Sequence, residues 1–144
     1  MNVLTRNKEV ARGLSEGKSY GELSRVYGVD ATAIRQRYEE TVDIINRPFY
    51  DVVASMDFPD SLGGKLVHAL YTYELTNDVE LTPDFIAVRM SNLRFSRQRG
   101  VGKALTKALA QLQEHILKER AAQKQEIFLS DLSKIRQEVS NDRS

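Results

Sequence analysis

The chain of 144 residues has no cysteine and only two histidines, His68 and His115. The lack of cysteine excludes disulfides and thiolate metal sites. Two histidines could form a metal cage only if several carboxylates gathered around them, so we expect no bound metal ion. No apolar run approaches the roughly 18 residues that a membrane-spanning helix needs, and the N-terminus lacks the apolar core of a signal peptide. We therefore expect a cytoplasmic protein without a membrane partner.

Catalytic patterns are also missing. The sequence contains no phosphate-binding Walker loop, no nucleophile elbow and no metal-ligand spacing, and it lacks a convincing Ser/His/Asp set. Glu39, Glu40 and Asp43 follow successive helical turns, which favours a solvated helix face over a general acid–base pair. We expect no catalytic residues, no cofactor and no enzymatic activity.

Each of two stretches of the chain is dominated by charge of one sign. Residues 85–113 contain six basic residues and no acidic one, whereas residues 39–60 carry six acidic residues against Arg47 alone. The net charge of +1 hides this asymmetry. A polyanionic partner would therefore be attracted to particular faces of the molecule. The alternative is that both stretches are solvated helix faces.

Apolar spacing and capping residues predict three short helices in the N-terminal third. Thr5 can cap the first helix and Gly17 can end it. Ser19, with a glutamate three positions later, is a capping-box signature for the second helix. Gly28 can close that helix in the left-handed conformation that glycine adopts freely. Asp30 can then cap a third helix that continues to residue 46.

Residues 17–37 have the layout of a helix-turn-helix, in which a short helix supports a second one that enters the major groove of DNA. Leu23, Val29 and Ile34 would be the inner apolar contacts. Arginine can bind guanine through two hydrogen bonds, and glutamine can pair with adenine. The residues expected to contact DNA are Thr32, Ala33, Arg35, Gln36 and Arg37. The alternative is a three-helix bundle with a solvated third helix.

This segment resembles region 4 of bacterial sigma factors. Residues 34–36 (Ile-Arg-Gln) stand where that family carries the same run in its recognition helix. Ala31 and Ala33 are small at positions where sigma factors usually have charged residues. The resemblance implies a DNA-binding domain at residues 1–47 but does not carry over the family's promoter specificity.

A second nucleic-acid element is predicted around Gly100-Val101-Gly102-Lys103. Two glycines between helices allow the tight turn of a helix-hairpin-helix, and the following helix begins with free amides that can hold a phosphate. Arg97, Arg99 and Lys103 would add charge for contacts to the DNA backbone that do not depend on sequence.

Residues 61–116 resemble the C-terminal domain of the bacterial RNA polymerase α subunit. The resemblance is carried by the helix 62–70, the Leu-Thr-Pro link at 81–83, and the run 92–95 that leads into 99–103. In that family an arginine and an asparagine on the first helix join the hairpin in gripping the minor-groove backbone. The matching positions here are Lys65 and His68.

Both substitutions keep hydrogen-bonding character. Lysine nevertheless replaces a planar fork with a point charge. Ala104 and Leu105 follow the hairpin where the family usually has polar or basic residues. For His68 the alternative is a partly buried imidazole with a satisfied hydrogen bond.

The tail from residue 118 onward is highly charged and lacks proline and glycine. Its apolar residues are spaced four, three and four positions apart, which is the spacing of an a/d seam. They are Phe128, Leu132, Ile135 and Val139. Two interpretations remain open. The tail is either a helix that packs on its own domain or a helix through which two copies form a homodimer.

Together these features predict an all-α protein with a helix-turn-helix domain (1–47), a linker (48–60), a helix-hairpin-helix module (61–117) and a C-terminal helix (118–144). The expected function is sequence-specific regulation of transcription on double-stranded DNA, in the nucleoid and in a phage or mobile-element setting. The alternative is a protein that modulates RNA polymerase or a sigma factor by protein contact. A third interpretation is an accessory DNA-binding subunit for recombination or packaging.

Overall fold

The computed structural model describes residues 2–28, 38–59 and 61–142. Over these residues the chain forms helices and turns without a strand, which confirms the all-α fold class. The helices are α1 (Val3–Ser15), α2 (Tyr20–Tyr27), α3 (Tyr38–Ile45), α4 (Tyr50–Ser55), α5 (Leu62–Asn77), α6 (Pro83–Val88), α7 (Asn92–Ser96) and α8 (Lys103–Asp142).

Side-chain caps fix the ends of the N-terminal helices. The Asn2 side chain accepts a hydrogen bond from the Thr5 amide at 2.8 Å, so α1 begins before Thr5 and the prediction of Thr5 as its cap is wrong. Ser19 accepts from the Glu22 amide at 3.2 Å, and Gly28 ends α2 with a φ of 67°, as predicted. The predicted cap Asp30 lies outside the described residues, as do Val29 and Ile34.

The contact between α1 and α2 depends on one side chain and one glycine. Leu23 is only 2% exposed and is the buried residue of α2. A Cβ atom added at Gly13 of α1 would lie 2.5 Å from Leu23 Cδ2, closer than carbon atoms can approach. Glycine at position 13 therefore allows α2 to lie directly against α1.

A shared hydrophobic core joins α1 and α3 to all the helices that follow. Leu4 of α1 and Ile44 of α3 belong to the same buried cluster as the apolar faces of α5 and α8. Phe49, Tyr50 and Val53 are almost completely buried in it. The segment 48–60, expected to be a linker, thus includes a core helix, α4, because its apolar residues pack under α1 and α5 instead of spanning a gap.

Two buried polar groups connect segments that are far apart in sequence. Glu74 of α5 is 5% exposed and accepts hydrogen bonds from Arg47 at 2.8 and 2.6 Å and from the Leu81 amide at 2.8 Å. The Tyr50 hydroxyl donates to the Leu4 carbonyl at 2.6 Å. Since a buried polar group is costly unless it is paired, these contacts fix how α1, α4 and α5 meet.

Helix α8 has two parts with different surroundings. Its first part packs into the core through Leu105, Ala108, Leu109, Leu112 and Ile116. Contact with the body ends near Arg120, whose Nε lies 3.5 Å from the Asp84 carboxylate of α6. The side chains of residues 121–137 are exposed, apart from the half-buried Leu132. Within the described residues, no helix combines the length and apolarity needed to cross a membrane.

Candidate nucleic-acid interface

Helix α5 and the turn between α7 and α8 form the walls of one open surface cavity of about 620 Å³. Lys65, His68 and Thr72 follow one another on a single face of α5, at the three- and four-residue spacing of a helix. Arg99 and Gly100 line the opposite wall. The structure therefore brings together residues that the sequence analysis selected from two segments about thirty positions apart.

The floor of this cavity is apolar. Val3, Ala69, Val101 and Leu105 contribute to it, and the lining residues that the structure describes include neither aspartate nor glutamate. Leu105 is buried at the start of α8, which explains why the expected polar residue is absent there: in this chain the position serves the core. Basic groups at the rim thus surround an uncharged floor.

The turn before α8 is held in place by its own backbone and by one side chain. The Val101 amide donates to the Gln98 carbonyl at 3.2 Å, and Gly100 has a φ of 84° that favours glycine. Gln98 Nε2 donates to the Ala69 carbonyl at 3.3 Å, which ties the turn to α5. The spacing between Arg99 on the turn and the basic residues of α5 is therefore fixed by a hydrogen bond.

Gly102 differs from Gly100 in what the fold requires of it. The Thr106 amide donates to the Gly102 carbonyl at 3.1 Å, so Gly102 is the residue directly before the first turn of α8. It does not have a positive φ, and a Cβ atom added there would meet nothing within 4 Å. The fold would accept a larger residue at position 102. Glycine leaves the first amides of α8, which have no partner within the helix, open to close approach.

The cations around the hairpin are not neutralised by the protein. None of the ion pairs within the described residues involves Lys65, Arg97, Arg99 or Lys103. In contrast, Lys8 pairs with Asp51 at 2.6 Å, and Arg47 pairs with Glu74. Arg97 and Lys103 do not line the cavity, but both are exposed at the ends of α7 and α8 that flank the turn.

His68 has a neighbour that the sequence did not indicate. Its side chain is 57% exposed, so the interpretation of a partly buried imidazole with a satisfied hydrogen bond is wrong. Its Nδ1 lies 3.8 Å from the Glu40 carboxylate of α3. This carboxylate belongs to the acidic face of α3, where Glu39, Glu40 and Asp43 are exposed, as expected for a solvated face. Glu40 opposes binding of an anion at His68, although Glu40 itself does not line the cavity.

Several lining residues escaped the sequence analysis, and three of them are instructive. Thr72 could have been found, because it lies one turn beyond His68 on a helix that was predicted. Gln98 lies inside the hairpin between two predicted arginines, and only its contact with α5 reveals its role. Val3 of α1 carried no signal, since nothing local indicates that α1 reaches a cavity about sixty residues further along the chain.

The predicted base-reading residues lie in the segment 29–37, outside the described residues. They are Thr32, Ala33, Arg35, Gln36 and Arg37. Of the helix predicted over 30–46, the structure describes the C-terminal part as α3. Over the described part of the chain, no three His, Asp or Glu side chains are close enough to hold a metal ion. No protein-family model, curated protein or solved structure matches the chain.

Proposed function

We propose that this chain is a sequence-specific DNA-binding transcription regulator. The hairpin face, defined as Lys65 and His68 of α5 together with residues 97–103, holds the phosphate backbone of duplex DNA. The supporting observation is that its cations come from two distant segments and, among the described residues, have no ion-pair partner apart from Glu40 near His68. Uncompensated cations at fixed spacing are what a phosphate backbone attracts.

The glycine pair supports contact with phosphate in particular. A phosphate oxygen can reach backbone amides only where no side chain intervenes, and Gly102 leaves that space open although the fold does not demand it. Lys103 begins the same helix and adds a charge beside these amides. The hairpin would supply affinity without reading sequence.

Sequence readout is assigned to the helix predicted over 30–46. Arg35, Gln36 and Arg37 would contact base edges in the major groove, with Thr32 and Ala33 letting the backbone approach. The α1–α2 pair, with the Ser19 cap and the Gly28 turn, supports this assignment, because a helix-turn-helix needs a short helix of this kind before its reading helix. We further propose that the protein acts in the nucleoid.

The apolar floor of the cavity favours one alternative function. DNA phosphates gain no favourable contact from an apolar floor, whereas an apolar side chain of a protein partner would fill it. The residues of this floor are Val3, Ala69, Val101 and Leu105. RNA polymerase or a sigma factor is the partner class that the sequence suggests. In this alternative the basic rim would select an acidic segment of that partner.

Binding to labelled duplex DNA at two salt concentrations tests the proposed function. The double variant Lys65→Ala/Arg99→Ala should weaken binding to all sequences equally and lower the slope of log affinity against log salt by about 1 to 2. Lys124→Ala/Lys134→Ala removes the same charge from the exposed part of α8 and should change neither. Arg35→Ala/Gln36→Ala should instead reduce the preference for the selected sequence.

Filling the cavity separates the two functions. Gly64 lines the cavity, and a Cβ atom added there meets nothing within 4 Å, so Gly64→Leu adds bulk without disturbing α5. We expect Gly64→Leu to retain duplex binding. If wild-type protein binds no duplex but captures RNA polymerase, and Gly64→Leu abolishes that capture, the protein-contact function replaces the DNA-binding one.

A further inference from the structure

The outer part of α8 carries apolar side chains that the described part of the body does not cover. Ile127, Phe128, Leu129 and Ile135 are 54–63% exposed, and of these Phe128 and Ile135 share one face. After the contact of Arg120 with Asp84, α8 continues to residue 142. That is roughly 30 Å of helix beyond the body at 1.5 Å per residue. Of the two interpretations of the tail left open by the sequence, packing on its own domain is therefore wrong.

The apolar residues fall into a heptad register. Phe128 and Ile135 take d positions, and Leu132 and Val139 take a positions, with Ala121 at the preceding d position. On a single helix in water this seam leaves its apolar side chains exposed, although most helical stability in proteins comes from packing of such a face. The seam buries its apolar side chains when a second helix with the same spacing packs against it.

The charges beside the seam identify the second helix as another copy of this one. In this register Asp131 occupies a g position and Arg136 the following e position. In a parallel pair of helices, a g residue of one chain lies beside the next e residue of the other, so Asp131 would meet Arg136 of the second copy twice. Both side chains are exposed, and neither forms an ion pair within the described residues.

An antiparallel pair would not form this ion pair. There g faces g and e faces e, so Asp131 of one copy would not lie beside Arg136 of the other. We infer that two copies of this chain associate through a parallel two-stranded coiled coil formed by residues 121–142. The dimer is independent of the proposed DNA-binding function, and its tests involve no nucleic acid.

Sedimentation equilibrium of the full chain tests the seam with two variants of the same residue type. Ile135→Asp places a charge at a d position and should raise the dimer dissociation constant at least about tenfold. Ile127→Asp makes the same change on the same helix at a c position, away from the seam, and should leave that constant unchanged. Wild-type protein that stays monomeric as its concentration rises, or equal effects of the two variants, would overturn the inference.

Charge exchange tests the parallel orientation. Asp131→Arg alone should weaken the dimer, because two like charges then face each other on each side of the seam. Adding Arg136→Asp to the same chain should restore the wild-type dissociation constant. In an antiparallel dimer the second change would not rescue the first, and that result would overturn the parallel arrangement.

The absence of cysteine makes a crosslinking test unambiguous, because any disulfide must form at the introduced residue. Gln125 occupies an a position, so Gln125→Cys should give a covalent dimer on mild oxidation, since equivalent a residues face each other only in a parallel pair. Gln123→Cys lies at an f position on the outer face and should remain monomeric under the same conditions. Equal crosslinking at both positions would contradict the register.

A parallel dimer places both bodies at the same end of the coiled coil. The two hairpin faces and the two helix-turn-helix units would then be related by one twofold axis. A twofold DNA site with half-sites about one helical turn apart follows from this geometry. This consequence, unlike the dimer itself, rests on the proposed function, so dimerisation without such a site would contradict the function and leave the dimer standing.

Discussion

Helix α2 belongs to the support of the proposed reading helix and α5 carries part of the hairpin face, yet the two helices are held in the fold very differently. Helix α2 buries Leu23 alone and rests on α1 through the space left by Gly13. Helix α5 buries six residues, including Leu66, Leu70 and the paired Glu74, and it touches α1, α3, α4, α7 and α8. One helix lies against the protein, whereas the other runs through its centre.

This difference predicts a gradient of local stability. A helix attached by one buried side chain opens at a small fraction of the global unfolding free energy, whereas a central helix opens only when the whole domain unfolds. The proposed hairpin face on α5 is therefore rigid. Helix α2 can adjust its position more easily, which would suit the proposed support of a helix that fits into a groove of DNA.

The largest expected loss of stability comes from Glu74→Ala in the central helix α5. The change leaves Arg47 and the Leu81 amide without their shared acceptor, and breaking such a buried pair costs about 3 to 5 kcal/mol of the free energy of unfolding. Glu80, whose carboxylate lies 4.0 Å from Arg47, is 65% exposed and provides the matched control. Glu80→Ala should cost less than about 1 kcal/mol in the same denaturant titration. Equal losses of unfolding free energy in the two variants would show that the buried pair stabilises the fold no more than the exposed carboxylate of Glu80 does.

For the central region the sequence predicted helices and turns, but it did not predict which segments pack against each other. Gly100 closes the hairpin, as the glycine pair predicted, and Thr82 caps α6 by accepting from the Phe85 amide at 3.2 Å. Residues 48–60 read as a linker because Pro48 and Pro59 punctuate them. Their burial depends on α1 and α5, which no local pattern encodes. The convergence of Lys65 with Arg99 came only from resemblance and required the fold to bring the two segments together.

The next effect should be confined to the N-terminal arm. Leu23→Ala removes the single buried side chain of α2 and costs about 3 kcal/mol locally. Amide hydrogen exchange should accelerate throughout α2 while the amides of α5 keep their protection. Val26, 68% exposed on the same helix, is the control, and Val26→Ala should leave both rates unchanged. Equal acceleration in α5 would mean that the arm and the centre unfold as one unit.

The smallest effect concerns the joint between the two regions. Burial, and secondarily the charge of Asp51, raises the pKa of Tyr50 to about 12, and its hydroxyl holds the Leu4 carbonyl of α1. In the unfolded chain this phenol ionises near pH 10. Between pH 10 and 12 the unfolded state has therefore released a proton that the folded state retains, and alkali favours unfolding.

Stability contributed by Tyr50 is thus complete below pH 10 and falls by about 1.4 kcal/mol per pH unit until pH 12. Tyr50→Phe removes this slope at the cost of one hydrogen bond, about 1 kcal/mol at neutral pH. Denaturant titrations of both proteins from pH 9 to 12 should therefore give stabilities that converge above pH 10 and cross before pH 12, where Tyr50→Phe becomes the more stable protein. Parallel curves would mean that Tyr50 ionises as freely in the folded protein as in the unfolded chain. The joint between α1 and α4 would then be open to water, and the arm would be attached to the centre by Leu4 and its apolar contacts alone.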